Sequence, residues 1–197
     1  MGWWCSVSNT FRQNFAFGLI GESRISRWLQ ARGHMVMPAY EKEVDTGKGP
    51  QLFSAQGDLV LPDMLVINNG LALWAEAKHK SVWTWHRITQ RWTTGVCLRH
   101  YEHYCQVATR TSMPVWLMFW HPGSTPARSD LDHGSPRTCP TGLFGANIIS
   151  LQHCESHRSM RWGRHGMVYW AQEHLTLLAS VDEVEAASLQ QPRSNDA

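Results

Sequence analysis

The segment that most constrains the fold of this chain is the dipeptide Asn69-Gly70, which lies between two apolar runs. Both central residues of a type I′ turn need a positive φ, so Asn-Gly in this setting predicts a two-residue β-hairpin. In such a hairpin Asn68 pairs with Leu71, and the numbers of paired residues sum to 139. The register therefore places Asp63 directly opposite Glu76.

This register brings two negative charges together in a covered sheet. Directly opposed residues lie roughly 5 Å apart at Cβ, where like charges repel each other. Alternate residues on both faces of the two runs are apolar, which is typical of a sheet that is covered on both sides. Lys78 lies two residues beyond Glu76, on the same face. Lys78 and a divalent cation between the carboxylates would offset the repulsion; the alternative is a solvated pair on an exposed strand.

The remaining pattern predicts a mixed α/β domain. Helices are predicted over residues 11–32 and 97–110, strands at 35–38, 114–120, 146–151 and 167–170, and loops at 41–56 and 122–142. Ser180 and Glu183 form a capping-box pattern that opens a short terminal helix. The order helix, hairpin, helix, strand predicts a mixed sheet in which the Glu76 strand and the 114–120 strand are parallel.

Length and composition favour one intracellular domain. A chain of 197 residues that is 43% hydrophobic and 17% charged has ordinary globular composition. We expect one domain over residues 1–189, with a core at about 11–121, a loop insertion at about 122–142 and a frayed tail at 190–197. Five cysteines without a CxxC pair argue against a disulfide framework and favour a reducing, cytoplasmic compartment. No apolar run reaches the roughly 18 residues of a membrane span.

The charged residues of the hairpin form a known pattern. Pro62-Asp63, twelve intervening residues and Glu76-Ala77-Lys78 resemble the PD-(D/E)XK motif of the restriction-endonuclease-like nuclease superfamily. Gly21-Glu22 in the first predicted helix is similar to the Gly-Glu of its resolvase-like and phage or prokaryotic members. The resemblance covers roughly residues 15–120. It implies an α/β fold with a restriction-endonuclease-like central mixed β-sheet flanked by α-helices.

The resemblance also implies a chemistry for these residues. Asp63, Glu76 and the carbonyl of Ala77 would hold Mg²⁺ or Mn²⁺, which prefer hard oxygen ligands. Lys78 would position or polarise the attacking water. Glu22 would bind the metal through water or complete a second site, its alternative being a solvated helix carboxylate. The implied protein is a divalent-metal-dependent nuclease, with a DNA endonuclease as the favoured form, and homodimers are common among such nucleases.

Local charge supports a nucleic-acid partner, with DNA favoured. No acidic residue occurs between Glu76 and Glu102, whereas basic and aromatic residues are frequent there. The candidate contacts are Lys80, Arg87, Arg91, Arg99, His100 and Tyr104. Three tryptophans in this segment, Trp83, Trp85 and Trp92, are either base contacts or core residues. Arginines around Trp162, namely Arg158, Arg161 and Arg164, form a second candidate patch.

Two alternatives belong to other functional classes. The first is a non-catalytic nucleic-acid-binding module of the same fold. The second is a zinc-binding protein, in which only Cys154 and His157 have a tight ligand-like spacing. The zinc candidates are His121, His133, Cys139, His153, Cys154, His157 and His165.

Overall fold

The fold is taken from a computed structural model, which describes residues 9–39, 50–161 and 165–189, with side chains from residue 16 onward. The predicted tail at 190–197, Trp162 and Arg164 of the second arginine patch, and residues 41–49 of the predicted loop lie outside the described residues.

The predicted hairpin and its register are confirmed. Strands β4 (Met64–Asn68) and β5 (Leu71–His79) are joined by Asn69 and Gly70, whose φ angles are 48° and 77°. The two strands pair from Asn68 with Leu71 to Met64 with Ala75, which is the register that sums to 139. Strand β4 begins only after Pro62 and Asp63, since proline has no N–H to donate to a ladder.

The other elements are short and numerous. The remaining strands are β1 (Met35–Pro38), β2 (Gln51–Leu52), β3 (Leu59–Val60), β6 (Thr84–His86), β7 (Arg91–Cys97), β8 (Val115–His121), β9 (Gly142–Asn147), β10 (His157–Ser159), β11 (Met167–Ala171) and β12 (Thr176–Ala179). The helices are α1 (Asn9–Ala31), α2 (Leu98–Thr111), α3 (Arg128–Leu131), α4 (Ile148–Gln152) and α5 (Val181–Leu189). No helix within the described ranges is long and apolar enough to cross a membrane.

A six-stranded mixed sheet forms the centre, in the order β1-β4-β5-β8-β9-β12. Strands β5 and β8 are parallel, as the sequence predicted, and the other neighbours are antiparallel. Helices α1 and α5 pack on one face. The other face is covered by α2, α4 and a second sheet, in the order β10-β11-β7-β6. The predicted α/β fold with a central mixed sheet flanked by helices is therefore confirmed.

The second sheet was not predicted, and it explains the tryptophans. Trp83, Trp85 and Trp92 lie on or beside β6 and β7 and are all less than 9% exposed. They pack in the core between the two sheets, together with residues of α2 and β8. The core interpretation of these three residues is therefore correct.

The predictions for the last third of the chain are confirmed in most places. The strand predicted at 167–170 is β11. Of the strand predicted at 146–151, only Ala146 and Asn147 belong to a strand, at the end of β9. The Asn147 side chain accepts a 2.9 Å hydrogen bond from the N–H of Ile149 and caps α4, so the rest of that segment is helical. The capping box before α5 is confirmed. Glu183 accepts from the N–H of Ser180 at 2.8 Å, and Ser180 Oγ accepts from the N–H of Glu183 at 3.2 Å.

Helix α1 approaches β5 most closely at a glycine. A Cβ atom added at Gly21 would lie 2.5 Å from Cβ of His79, closer than packed carbon atoms come. Phe17, one turn earlier, stacks on the His79 ring at 3.6 Å between centroids, and its carbonyl is 2.9 Å from Nδ1 of that ring. The absence of a side chain at Gly21 thus fixes how near α1 lies to the carboxyl end of β5.

We predict that Gly21→Ala lowers the free energy of unfolding by about 2 kcal/mol, because its Cβ must displace the β5 backbone or the helix. Gly18→Ala is the matched control, since a Cβ there has only Glu22 Oε1 at 3.9 Å. The control gains helix propensity and should be unchanged or more stable by up to about 1 kcal/mol. Urea denaturation measures both, and equal effects of the two variants would contradict the close approach.

Candidate active site

Asp63 and Glu76 meet at the point where the β4–β5 ladder ends. Asp63 Oδ2 accepts a 2.8 Å hydrogen bond from the N–H of Ala77. Glu76 is 0% exposed, and the Lys78 ammonium contacts its Oε1. Neither oxygen of Glu76 accepts a hydrogen bond of normal geometry from the described residues. A buried carboxylate is costly unless it is well paired, and the one ammonium of Lys78 balances only one of the two carboxylates.

The Ala77 carbonyl points toward the same edge as the Asp63 carboxylate. Even-numbered β5 residues donate toward β8, as the bonds from Trp74 to Pro114 and from Lys80 to Trp120 show. The N–H and C=O of one strand residue point the same way, so both groups of Ala77 point toward β4. The register puts Pro62 opposite Ala77, and proline has no N–H for the Ala77 carbonyl. The strand ladder thus leaves that oxygen to another ligand.

The charges of the cluster shift one another's protonation. Burial, and then the charge of Glu76, raise the pKa of Asp63 to about 7. For Lys78, burial lowers the pKa, but the charges of Glu76 and Asp63 outweigh it and hold the pKa above its usual value. The Lys78 side chain is 31% exposed, against 1% for Glu76. Lys78 is therefore a permanently charged group at the solvent side of the buried Glu76 and the half-buried Asp63.

Glu22 approaches the cluster from α1. It follows Gly21, where the helix passes the end of β5, and it is half-buried. Its charge is one of those that raise the pKa of Lys78. Glu22 thus lies within electrostatic reach of the predicted site, although α1 packs on the face of the central sheet opposite to α2.

Helix α2 covers the site with Tyr104 and His100. Tyr104 is 2% exposed, and burial followed by the charges of Glu76 and Asp63 raises its pKa well above the usual value. A residue so buried does not reach a bound nucleic acid, which corrects the contact predicted for Tyr104. His100 is half-buried, and burial followed by the Lys78 charge lowers its pKa to about 4. His100 is therefore a neutral ring at physiological pH.

Lys80 and His121 lie at the carboxyl ends of the parallel strands β5 and β8. The Lys80 ammonium donates to the carbonyl of Gly95 on β7 and so joins the two sheets. Burial and the charge of Lys78 lower the pKa of Lys80 to about 8. His121 stacks on Trp83 and lies 3.3 Å from Thr94 Oγ1. In the sequence, His121 directly follows the apolar run of β8, and this position could have predicted that it lies at the carboxyl end of that strand.

The predicted arginine contacts occupy different surroundings. Arg99 is exposed at the start of α2, beside His100. Arg87 is exposed and donates to His133 Nε2 at 3.1 Å. Arg91 is exposed and forms an ion pair with Glu173. Arg99 and Arg87 are thus available at the surface, whereas Glu173 neutralises the charge of Arg91.

The donor set fits a hard divalent cation better than zinc. Two carboxylates and a carbonyl are oxygen ligands of the kind that Mg²⁺ and Mn²⁺ take, with water filling the other positions. The structural sign of this fit is that the buried Glu76 and the neighbouring Asp63 carboxylate share the ammonium of Lys78. Within the described ranges no three His, Cys, Asp or Glu side chains group as metal ligands. The described part of the predicted zinc set therefore gives no zinc site.

Comparison with known proteins gives structural likenesses only. No protein-family model and no curated protein matches the chain. The solved Holliday junction resolvase Hjc of the archaeal hyperthermophile Archaeoglobus fulgidus is similar, with a TM-score of 0.48 and 8% identity over 89% of this chain and 98% of that one. A nuclease from a fusselovirus has a TM-score of 0.38 and 8% identity over 88% and 90%.

The raised pKa of Asp63 predicts that the metal-free protein loses stability as pH rises. The folded state binds this proton up to about pH 7, whereas the unfolded chain releases it near 3.8. Its stabilising effect is complete below 3.8 and is lost as pH rises through 7. Unfolding measured in EDTA from pH 5 to 9 should show this fall, and Asp63→Asn should reduce it.

Asp58→Asn is the control for that experiment, because Asp58 is an exposed carboxylate in the same part of the sequence. It should retain the wild-type pH dependence. Identical pH profiles for Asp63→Asn and the wild type would show that the Asp63 carboxyl is not forced to hold a proton by burial and Glu76.

Proposed function

We propose that this chain is a divalent-metal-dependent nuclease that hydrolyses phosphodiester bonds in nucleic acid, with DNA as the favoured substrate and an endonucleolytic mode of cleavage. The observation that carries the proposal is the pair formed by the half-buried Asp63 and the buried Glu76, which the β-hairpin register opposes, with Lys78 in contact with Glu76. Lys78 supplies one positive charge for two opposed carboxylates, so the pair has room for a further cation, which supports a metal-binding role.

Asp63, Glu76 and the Ala77 carbonyl are the groups that would hold Mg²⁺ or Mn²⁺, and Glu22 would act through a water. When bound, the cation supplies positive charge against the scissile phosphate and makes a nearby water more acidic. The chain contributes the geometry: the β5 strand aligns one carboxylate and one carbonyl, and β4 brings the second carboxylate to them.

The raised pKa of Lys78 determines which catalytic role this side chain could have. Because its pKa lies above the usual value, the side chain remains an ammonium and cannot take a proton from water as a general base. It can donate a hydrogen bond that orients the attacking water, and its charge stabilises the negative charge that develops on the phosphate. Its side chain is 31% exposed, so a substrate can reach it from solvent.

The surroundings of the site favour a polyanionic substrate. Lys78 and Lys80 lie on one face at the end of β5, and the exposed Arg99 follows on α2. These charges attract a phosphate backbone without reading its sequence. His100, neutral beside Lys78, is available to donate to or accept from a phosphate or water. A homodimer and an intracellular location remain predictions from the sequence.

The test is cleavage of single-stranded, duplex and branched DNA and of RNA, with Mg²⁺ or Mn²⁺ and with EDTA. We expect metal-dependent cleavage that Asp63→Asn and Lys78→Met each reduce by at least about 100-fold, since each removes a charge from the transition-state environment. Asp58→Asn should retain wild-type activity.

Thermal unfolding of each variant shows whether it is folded before its activity is compared. Cleavage that persists in both folded variants would exclude Asp63 and Lys78 as the catalytic groups. Binding of nucleic acid by the wild type without cleavage under any metal would favour the alternative, a binding module of the same fold.

A further inference from the structure

The turn between β6 and β7 presents an isolated apolar side chain to solvent. Ile88 is 88% exposed, more than any other large hydrophobic residue within the described ranges. Single exposed hydrophobic residues are common on protein surfaces and usually have no role. Ile88 differs because the structure holds its turn rigidly, next to the exposed Arg87, at the end of a hairpin that extends from the candidate active site.

The turn is braced by its own side chains. His86 Nδ1 and Thr89 Oγ1 share a hydrogen bond of 2.7 Å across it. Gln90 has a φ of 53°, unusual for a residue other than glycine, and its side-chain amide donates to the Arg87 carbonyl at 2.7 Å. These bonds fix the backbone on both sides of Ile88.

The insertion at residues 122–142 supports the same hairpin from outside. The His133 carbonyl accepts from the Trp85 indole at 3.1 Å and from the Gln90 amide at 3.2 Å. The Pro140 carbonyl accepts from the Trp83 indole at 2.7 Å. The long insertion thus functions as a brace that holds the β6–β7 hairpin in place.

The hairpin extends from the candidate active site. Strand β7 runs from Arg91, next to the turn, to Gly95, whose carbonyl accepts from the Lys80 ammonium. Four residues of strand span roughly 14 Å, so Ile88 lies on the order of 20 Å from Lys80 along the hairpin. A duplex whose backbone lies at Lys78 can reach the turn within one helical turn of about 34 Å.

The charge beside Ile88 favours a nucleic acid over a protein. Arg87 precedes it and is exposed, with its guanidinium donating to the ring of His133 rather than to a carboxylate. No acidic residue occurs in the sequence from Ala77 to Tyr101. An apolar side chain next to an arginine is the combination that enters a base step while the arginine contacts the flanking phosphate.

We propose that Ile88 is a wedge that inserts at an unstacked base step of a nucleic acid bound at the candidate site, so that the preferred substrate has a bulge, fork or branch. This inference rests on the proposed function, because the active site supplies the bound phosphate backbone. It adds the class of substrate, namely DNA whose base pairing is interrupted by an unpaired position. A continuous duplex lacks such a position.

The test compares two DNA probes in EDTA, where cleavage is absent. One is a duplex with a central two-nucleotide bulge and 2-aminopurine beside it; the other is the fully paired duplex of the same length. Ile88→Ser should weaken binding of the bulged probe by about tenfold, the effect of one lost aliphatic burial, and abolish the 2-aminopurine fluorescence rise. Binding of the paired duplex should change by less than about twofold.

Leu71→Ser is the matched control, because Leu71 is 78% exposed and lies at the opposite end of β5 from Lys78. It should leave both probes unaffected. Wild-type binding and fluorescence in Ile88→Ser would overturn the wedge, as would equal weakening of both probes. A wild type that does not distinguish the two probes, or binds neither, would overturn it as well and leave a protein as the partner of this turn.

The two proposals fail separately. If the wild type never cleaves but Ile88→Ser selectively loses the bulged probe, the nuclease assignment is wrong and the wedge stands. If Mg²⁺-dependent cleavage is normal while Ile88→Ser binds as the wild type does, the wedge is wrong and the nuclease assignment stands.

Discussion

One hydrogen bond, from the Ala77 N–H to Asp63 Oδ2, joins the local structure of this protein to its candidate chemistry. The Ala77 N–H donates to this carboxylate just beyond the last backbone pair of the ladder, Met64 with Ala75, and so extends the contact between β4 and β5. This hydrogen bond also holds the Asp63 carboxylate against β5 at Ala77, the residue that directly follows the buried Glu76. The opposition of the two carboxylates, the orientation of the Ala77 carbonyl and the position of Lys78 all follow from this contact and the register behind it.

The rest of the fold encloses that contact while leaving one side open. Helix α1 lies close to the end of β5 because Gly21 has no side chain, and this brings Glu22 within reach of Lys78. On the opposite face, α2 buries Tyr104 over Glu76. Burial disfavours the charged form of Asp63, and the nearby charge of Glu76 adds to this, which is why the pKa of Asp63 rises. Lys78, which remains partly exposed, is the member that a substrate can meet.

Sequence reasoning succeeded where the determining interactions are local. Asn69-Gly70 fixed the turn, and the two-residue period of a strand then fixed which residues oppose each other, so Asp63 and Glu76 could be paired without a structure. The second sheet could not be predicted in the same way. Trp83, Trp85 and Trp92 show no clean period, and β7 pairs with β11, about seventy residues later. The burial of Tyr104, which keeps it from contacting a nucleic acid, could not be predicted from the sequence either, because it comes from packing between two layers of the fold.

The proposed function depends on Asp63, Glu76 and the Ala77 carbonyl forming one cation site. The most direct measurement is a crystal structure of the protein soaked in Mn²⁺, with anomalous scattering used to locate the ion. We predict an anomalous peak in contact with an oxygen of Asp63 and an oxygen of Glu76, at the roughly 2.0–2.2 Å of hard-cation oxygen ligands. An ion bound elsewhere, or no ion between these carboxylates under conditions that support cleavage, would contradict it.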